Sequence, residues 1–169
     1  MSSLLQKVKE KAYLTGEFTT RAGKKTSYYF DKYLMETDPQ LLGPICEKIV
    51  DLLPKEYDQI AAPELGAVAL AAVVSVMVKK PFIIVRKETK SYGTQKLLEG
   101  QYQKGEKVVV IEDVLTTGGA AIRAADILIK EGLIVSEIIG VVNREEGAKE
   151  AITQRGWLMK SVFSASQFF

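Results

Sequence analysis

Along the chain, short unbroken apolar runs alternate with longer stretches of helical spacing. The runs QIAAP (59–63), PFIIVR (81–86), KVVVIED (107–113), VSEIIGVVN (135–143) and LMKSVFS (158–164) have the length and branched content of strands buried on both faces. Between them, GAVALAAVVSVMVKK (66–80), GGAAIRAADILIKEG (118–132) and REEGAKEAITQRG (144–156) read as helices. PQLLGPICEKIVDLLP (39–54) is a further helix, with Pro39 in its first turn and Pro54 ending it. Before it, an amphipathic helix is expected from Leu4 to Leu14, closed by Gly16, and EFTTRAGKKTSYYFD (17–31) reads as a hairpin turning at Ala22-Gly23. A polar loop, KETKSYGTQKLLEGQYQKG, fills 87–105. Strands alternating with helices predict an α/β fold: about five mostly parallel strands flanked by helices. One domain over 1–169 is expected, with residues 1–37 forming a small helix-plus-hairpin hood and 38–169 the core.

In open sheets of this kind ligands bind beyond the carboxyl ends of the strands. Three loops meet that condition: Pro63 to Gly66, Glu112 to Gly119 and Asn143 to Gly147. Composition narrows what they can do. The 169 residues contain no histidine, which removes Ser-His-Asp and Cys-His chemistry and histidine-rich metal sites. A metal here would take oxygen ligands, which points to magnesium or a similar hard cation. The net charge of +2 is too small to argue for nucleic acid or membrane as partner. No apolar run approaches the ~20 residues of a transmembrane helix, and the N-terminus lacks a signal-peptide pattern. The single Cys46 excludes an intrachain disulfide and, on the apolar face of its helix, reads as a buried structural thiol. A soluble, cytoplasmic protein is the expectation.

The stretch VVVIEDVLTTGGAA (108–121) sets two acids, Glu112 and Asp113, beside a Thr-Thr-Gly-Gly turn that opens a helix. It has neither the GxGxxG spacing of dinucleotide sites nor the GK[ST] ending of the P-loop. Gly118 and Gly119 let the backbone approach an anion, the amides at the helix start point at it, and Thr116 and Thr117 add hydroxyl donors. A threonine-capped turn would explain the Thr and Gly residues, but not two acids at the end of a buried strand. They make sense if the ligand is a ribose phosphate: carboxylates accept from the sugar hydroxyls while the turn holds the 5′-phosphate.

This stretch resembles the phosphoribosyl pyrophosphate-binding motif of type I phosphoribosyltransferases. GEFTTRAGKKTSYYFD resembles the N-terminal hood of the orotate phosphoribosyltransferases within that family. RKETKSYGTQKLLEG resembles their mobile catalytic loop, and NREEGA their base-side motif. The motifs fall in the family's order and cover nearly the whole chain. The resemblance implies transfer of the 5-phosphoribosyl group from phosphoribosyl pyrophosphate to orotate, giving orotidine 5′-monophosphate and pyrophosphate, with Mg2+. It also implies a homodimer, because in this family the catalytic loop reaches into the neighbouring subunit's site.

Carried over by position, the resemblance makes Arg86, Lys87 and Lys90 the cations that grip pyrophosphate, with Asp113 also catalytic. Phosphoribosyl pyrophosphate would be held by Glu112, Asp113, Val114, Leu115, Thr116, Thr117, Gly118, Gly119 and Ala120. Arg86, Lys87, Lys90 and Tyr92 would join them from the lid, and Glu64, Leu65 and Gly66 from the loop PELG. The base would meet Arg21, Tyr29, Phe30, Thr116 and Arg144, and magnesium would be held by Glu112 and Asp113 indirectly, through ribose or pyrophosphate oxygens. Position alone leaves Arg144 evenly placed between a base contact and a surface ion pair with Glu146 or Glu150. Tyr92 stands where many relatives have a histidine, and Leu65 where they often have a polar residue. Two alternatives stay open: the same fold acting on a purine or uracil, and a non-catalytic sensor of phosphoribosyl pyrophosphate.

Overall fold

The computed structural model describes residues 3–19, 23, 25–87 and 96–168. Helix α1 (Leu4–Ala12) begins at Ser3, whose side chain accepts from the Gln6 amide. A hairpin follows, β1 (Tyr13–Thr19) antiparallel to β2 (Lys25–Phe30), then a short helix α2 (Lys32–Glu36). The remaining elements are α3 (Pro39–Leu52), β3 (Gln59–Pro63), α4 (Gly66–Val78), β4 (Phe82–Val85), β5 (Leu98–Glu99), β6 (Lys107–Leu115), α5 (Gly119–Lys130), β7 (Ile134–Asn143), α6 (Ala148–Gln154) and β8 (Leu158–Ser164). A 3-10 turn, Ala165–Phe168, follows β8.

The main sheet has six strands in the order β5-β4-β3-β6-β7-β8. Five are parallel, as the apolar runs predict; the two-residue β5 pairs antiparallel with β4 at the edge. Strand β3 sits between β4 and β6, so the order of connection reverses there. That switch point opens a crevice beyond the strand ends. One face of the sheet packs against α1, α3 and α4, with Ile45, Ile49, Leu70, Val109 and Ile111 at its centre. The other packs against α5 and α6 around Val110, Leu128, Ile138 and Ile152. The alternation of β6 therefore sends Val109 and Ile111 to one side and Val108 and Val110 to the other.

Local chemistry explains most boundaries. Asp38 caps α3 by accepting from the Gln40 amide at 2.9 Å, Pro39 occupies its first turn, and Leu41, Ile45, Cys46 and Ile49 form its buried stripe. Cys46 is fully buried, and burial pushes its thiol up to about 12, the property of a structural residue. Helix α1 is shorter than its periodicity predicts. Tyr13 and Leu14 join β1 instead, because Tyr13 pairs with Phe30 and stacks on Tyr28 at 5.2 Å. Gly16 lies within that strand rather than closing a helix. Helix α2 was not expected from periodicity; it is only five residues long, and the Asp31 side chain starts it by accepting from the Tyr33 amide. Among the described residues, no helix is long and apolar enough to cross a membrane.

Candidate active site

The carboxyl ends of β3, β4 and β6 frame a cleft of about 230 Å³. Its floor is the β6 end, Glu112, Asp113 and Val114; one wall is the loop Pro63 to Gly66, with Arg86 and Lys87 beside it. The opposite wall is α5 through Ala120, Arg123, Ala124 and Ile127, and Lys32 and Tyr33 of α2 close the third side. Two of the three loops singled out by sequence thus meet in one crevice. The third, after β7, is tied to the Glu112–Gly119 loop by backbone bonds: the Arg144 amide donates to Leu115 O at 2.8 Å and the Ala148 amide to Thr116 O at 3.1 Å.

Consecutive strand residues point to opposite faces, so the two acids leave β6 in different directions while still acting on one another. Asp113 turns toward α2 and α4, where its Oδ2 takes the Lys32 ammonium. Its Oδ1 accepts from the Val114 amide at 2.5 Å. A Cβ at Gly66 would overlap this carboxylate, so glycine at the start of α4 is what lets the acid lie there. Glu112 is 6 % exposed; its Oε1 accepts from the Asp113 amide at 3.2 Å, and its buried Oε2 has no hydrogen-bond partner. Burial, and then the charge of Asp113, raise the Glu112 carboxyl well above its ordinary range. Burial works to lower the Lys32 ammonium, but its hydrogen bond to Asp113 and that charge outweigh it and leave it raised. One turn further along α2, Glu36 is 4 % exposed with Oε1 unpartnered. Desolvation, with Asp113 nearby, pushes it up to about 8.

The turn beyond the acids leaves the start of α5 without a side-chain cap. Gly118 is the N-cap of α5 at φ 78°, a left-handed conformation open to glycine, and no side chain caps the helix. The threonine-capped turn is therefore not what forms, and the first amides of α5 keep no side-chain acceptor. Across the cleft, Glu64 organises the root of the cationic loop. Its Oε1 accepts from the Lys87 amide at 2.9 Å, and its Oε2 lies 3.9 Å from Arg86 Nη1.

The family model of the phosphoribosyl transferase domain matches residues 40–154. The chain belongs to the phosphoribosyltransferase family. Over 152 residues it is 47% identical to the orotate phosphoribosyltransferase of Methanocella arvoryzae, covering 90% of this chain and 87% of that one. The crystal structure of orotate phosphoribosyltransferase from Aeropyrum pernix superposes with a TM-score of 0.89 at 27% identity, covering 98% of this chain and 96% of that one. The Mycobacterium tuberculosis H37Rv enzyme in complex with 5-phospho-alpha-D-ribosyl 1-diphosphate gives 0.83 at 26%, with 98% and 96% covered.

Seen as a phosphoribosyltransferase cleft, the site gathers half of the positions expected from sequence, without Thr117, Gly118 and Gly119 among its lining residues. Glu64, Leu65, Gly66, Arg86, Lys87, Glu112, Asp113, Val114, Thr116 and Ala120 all line it. Leu65 is 68% exposed, while Leu115 is 1% exposed and packs inward, leaving only its backbone for the loop. Arg21, Lys90 and Tyr92 lie outside the described residues. Of the two readings left open for Arg144, the ion pair forms, and the side chain also contacts Tyr28. It pairs with Glu146 at 2.8 Å, and its guanidinium lies 5.3 Å from the Tyr28 ring while Nη2 donates to the Tyr28 hydroxyl at 3.2 Å. Phe30 is 8% exposed and lines the same small aromatic pocket as Arg144 and Tyr28. Tyr29, the next residue of the strand, faces away, packs on Phe18 at 5.5 Å and is 47% exposed. The structure brings Tyr28, not Tyr29, to Arg144.

Sequence reasoning missed Lys32, Glu36, Tyr33 and Arg123. Lys32 carried one usable signal: an acid pair at an anion site needs a cation, and Lys32 follows Asp31, a cap residue. What hid it was the five-residue helix that presents it. As to magnesium, no group of three or more Asp, Glu or Cys among the described residues could hold a metal ion by itself. The donor set still fits a hard cation that keeps waters and substrate oxygens, since Glu112 Oε2 is a buried acceptor with nothing to accept from.

Proposed function

We propose that the chain is an orotate phosphoribosyltransferase of pyrimidine nucleotide synthesis. The observation that carries this reading is the single cleft in which the acid pair, the uncapped turn, the PELG loop and the root of the cationic loop converge. The choice of base is supported by similarity to an orotate phosphoribosyltransferase over nine-tenths of the chain.

Orotate N1, its proton passed to solvent, forms a bond to the anomeric carbon as the bond from that carbon to the pyrophosphate oxygen breaks. Glu112 and Asp113 accept from the ribose hydroxyls, and Thr116 with the amides from Thr117 to Ala120 holds the 5′-phosphate. Lys32 neutralises Asp113 before substrate arrives, which answers why two acids tolerate an anionic ligand. Arg86 and Lys87 stabilise the charge that builds on the departing pyrophosphate, joined by Lys90 of the same loop. Glu112 and Asp113 are the residues that would hold Mg2+, indirectly, and a bound ion would add positive charge toward the leaving group. Arg144 presents paired donors to the planar, anionic base. Closing the loop excludes water from an oxocarbenium-like transition state. The working unit is a homodimer in the cytoplasm, the loop of one subunit completing the other's site.

The test is pyrophosphate release from phosphoribosyl pyrophosphate and Mg2+ with orotate, uracil, adenine, hypoxanthine or nicotinate in turn. Orotate alone should support turnover. Turnover with a different base only would reassign the substrate, and turnover with none would leave a sensor.

A further inference from the structure

We propose that Glu145, clamped by Ser166, is the positioning residue that aims Arg144 at the base. This rests on the reading of Arg144 as the base contact. Glu145 holds φ 59°, one of two non-glycine residues in the left-handed region among those described. Such a backbone costs about 1 kcal/mol or more and persists only where its surroundings hold it. Three bonds do so. The Glu145 amide donates to Asn143 Oδ1 at 2.9 Å. Its carboxylate accepts from the Ser166 amide at 2.8 Å and from the Ser166 hydroxyl at 3.2 Å.

Ser166 is itself fixed. It belongs to the 3-10 turn, where the Ser164 amide donates to Gln167 Oε1 at 2.8 Å and Phe168 is 2% exposed. Phe168 stacks on Tyr13 at 6.3 Å, and Tyr13 stacks on Tyr28, the residue beneath the Arg144 guanidinium. The arginine is therefore held from both ends by one aromatic group: through its neighbour Glu145 at the backbone, and through Tyr28 at the guanidinium. Its Nε is buried without a hydrogen-bond partner. Glu145 would touch no substrate; it decides where the guanidinium points.

Four variants test this in steady-state kinetics: Glu145→Ala, Glu145→Gly, Ser166→Ala and Arg144→Ala. Losing the exposed clamp should raise KM for orotate about three- to tenfold. The turnover number and KM for phosphoribosyl pyrophosphate should stay within about twofold. Glu145→Gly, which relaxes the left-handed backbone but has no carboxylate, should match Glu145→Ala, and Ser166→Ala should shift the same constant less. An unchanged orotate KM in both Glu145 variants, or an equal rise in both substrates' KM, would overturn the proposal. Arg144→Ala separates the two layers. If it impairs orotate use while Glu145→Ala does not, the clamp fails and the base contact stands. If Arg144→Ala leaves orotate use intact, the reading beneath the proposal fails with it.

Discussion

The two halves of the site are built by different means. The phosphoribosyl cleft is made from strand ends: β3, β4 and β6 deliver Glu64, Arg86, Glu112 and Asp113 through the register of a parallel sheet. The side proposed for the base is made from packing between distant segments, with Tyr13, Tyr28, Phe30 and Phe168 lining a small pocket with Arg144. The cleft depends on charges placed against one another, the base side on how aromatic rings rest. Changes in the first should therefore strike phosphoribosyl pyrophosphate, and changes in the second the base.

The largest effect is expected where the backbone makes room for a charge. Gly66→Ala would drive a methyl into the Asp113 carboxylate. Displacing an acid from the sugar by about an ångström should lower kcat/KM about a hundredfold, read in a pyrophosphate-release assay with phosphoribosyl pyrophosphate varied. Next comes Lys32→Met, which leaves Asp113 and the unpartnered Glu112 oxygen without their cation. KM for phosphoribosyl pyrophosphate should rise about tenfold or more, with Lys32→Arg recovering part of the loss.

Glu36 sharpens the comparison through pH. Its carboxyl is pushed up to about 8 by desolvation and by Asp113 and Asp31, against the pull of Lys32. In the unfolded chain it titrates near 4.5. The folded form thus keeps a proton that the unfolded form has lost, and stability falls as pH rises through that window. Glu36→Gln removes the penalty. Its unfolding free energy, from urea denaturation, should match the parent near pH 4 and exceed it above about pH 8, by on the order of 5 kcal/mol. A constant gap across pH would mean that Glu36 is not the source. Tyr28→Leu has the smallest effect: loss of the cation–π contact should raise KM for orotate about threefold.

The same contrast explains what could be read from the sequence. Unbroken apolar runs gave the parallel strands, and their carboxyl ends located the cleft, because strand period and burial are local properties. The acid pair and the Thr-Thr-Gly-Gly turn were legible for that reason. Lys32 was not, since five residues of helix carry too little periodicity to reveal which face they present. Nor was the contact of Tyr28 with Arg144: Tyr28 and Phe30 share one side of β2 and Tyr29 takes the other, and no pattern in SYYF states which side meets the arginine. The 3-10 turn and its hold on Glu145 depend on contacts across more than twenty residues, beyond any local pattern.

The division of the site is tested most directly by a crossover of Michaelis constants in Lys32→Met and Tyr28→Leu, with both substrates varied for each. Lys32→Met should raise KM for phosphoribosyl pyrophosphate and leave that for orotate within about twofold, and Tyr28→Leu should do the reverse. Both variants raising the same constant would contradict it.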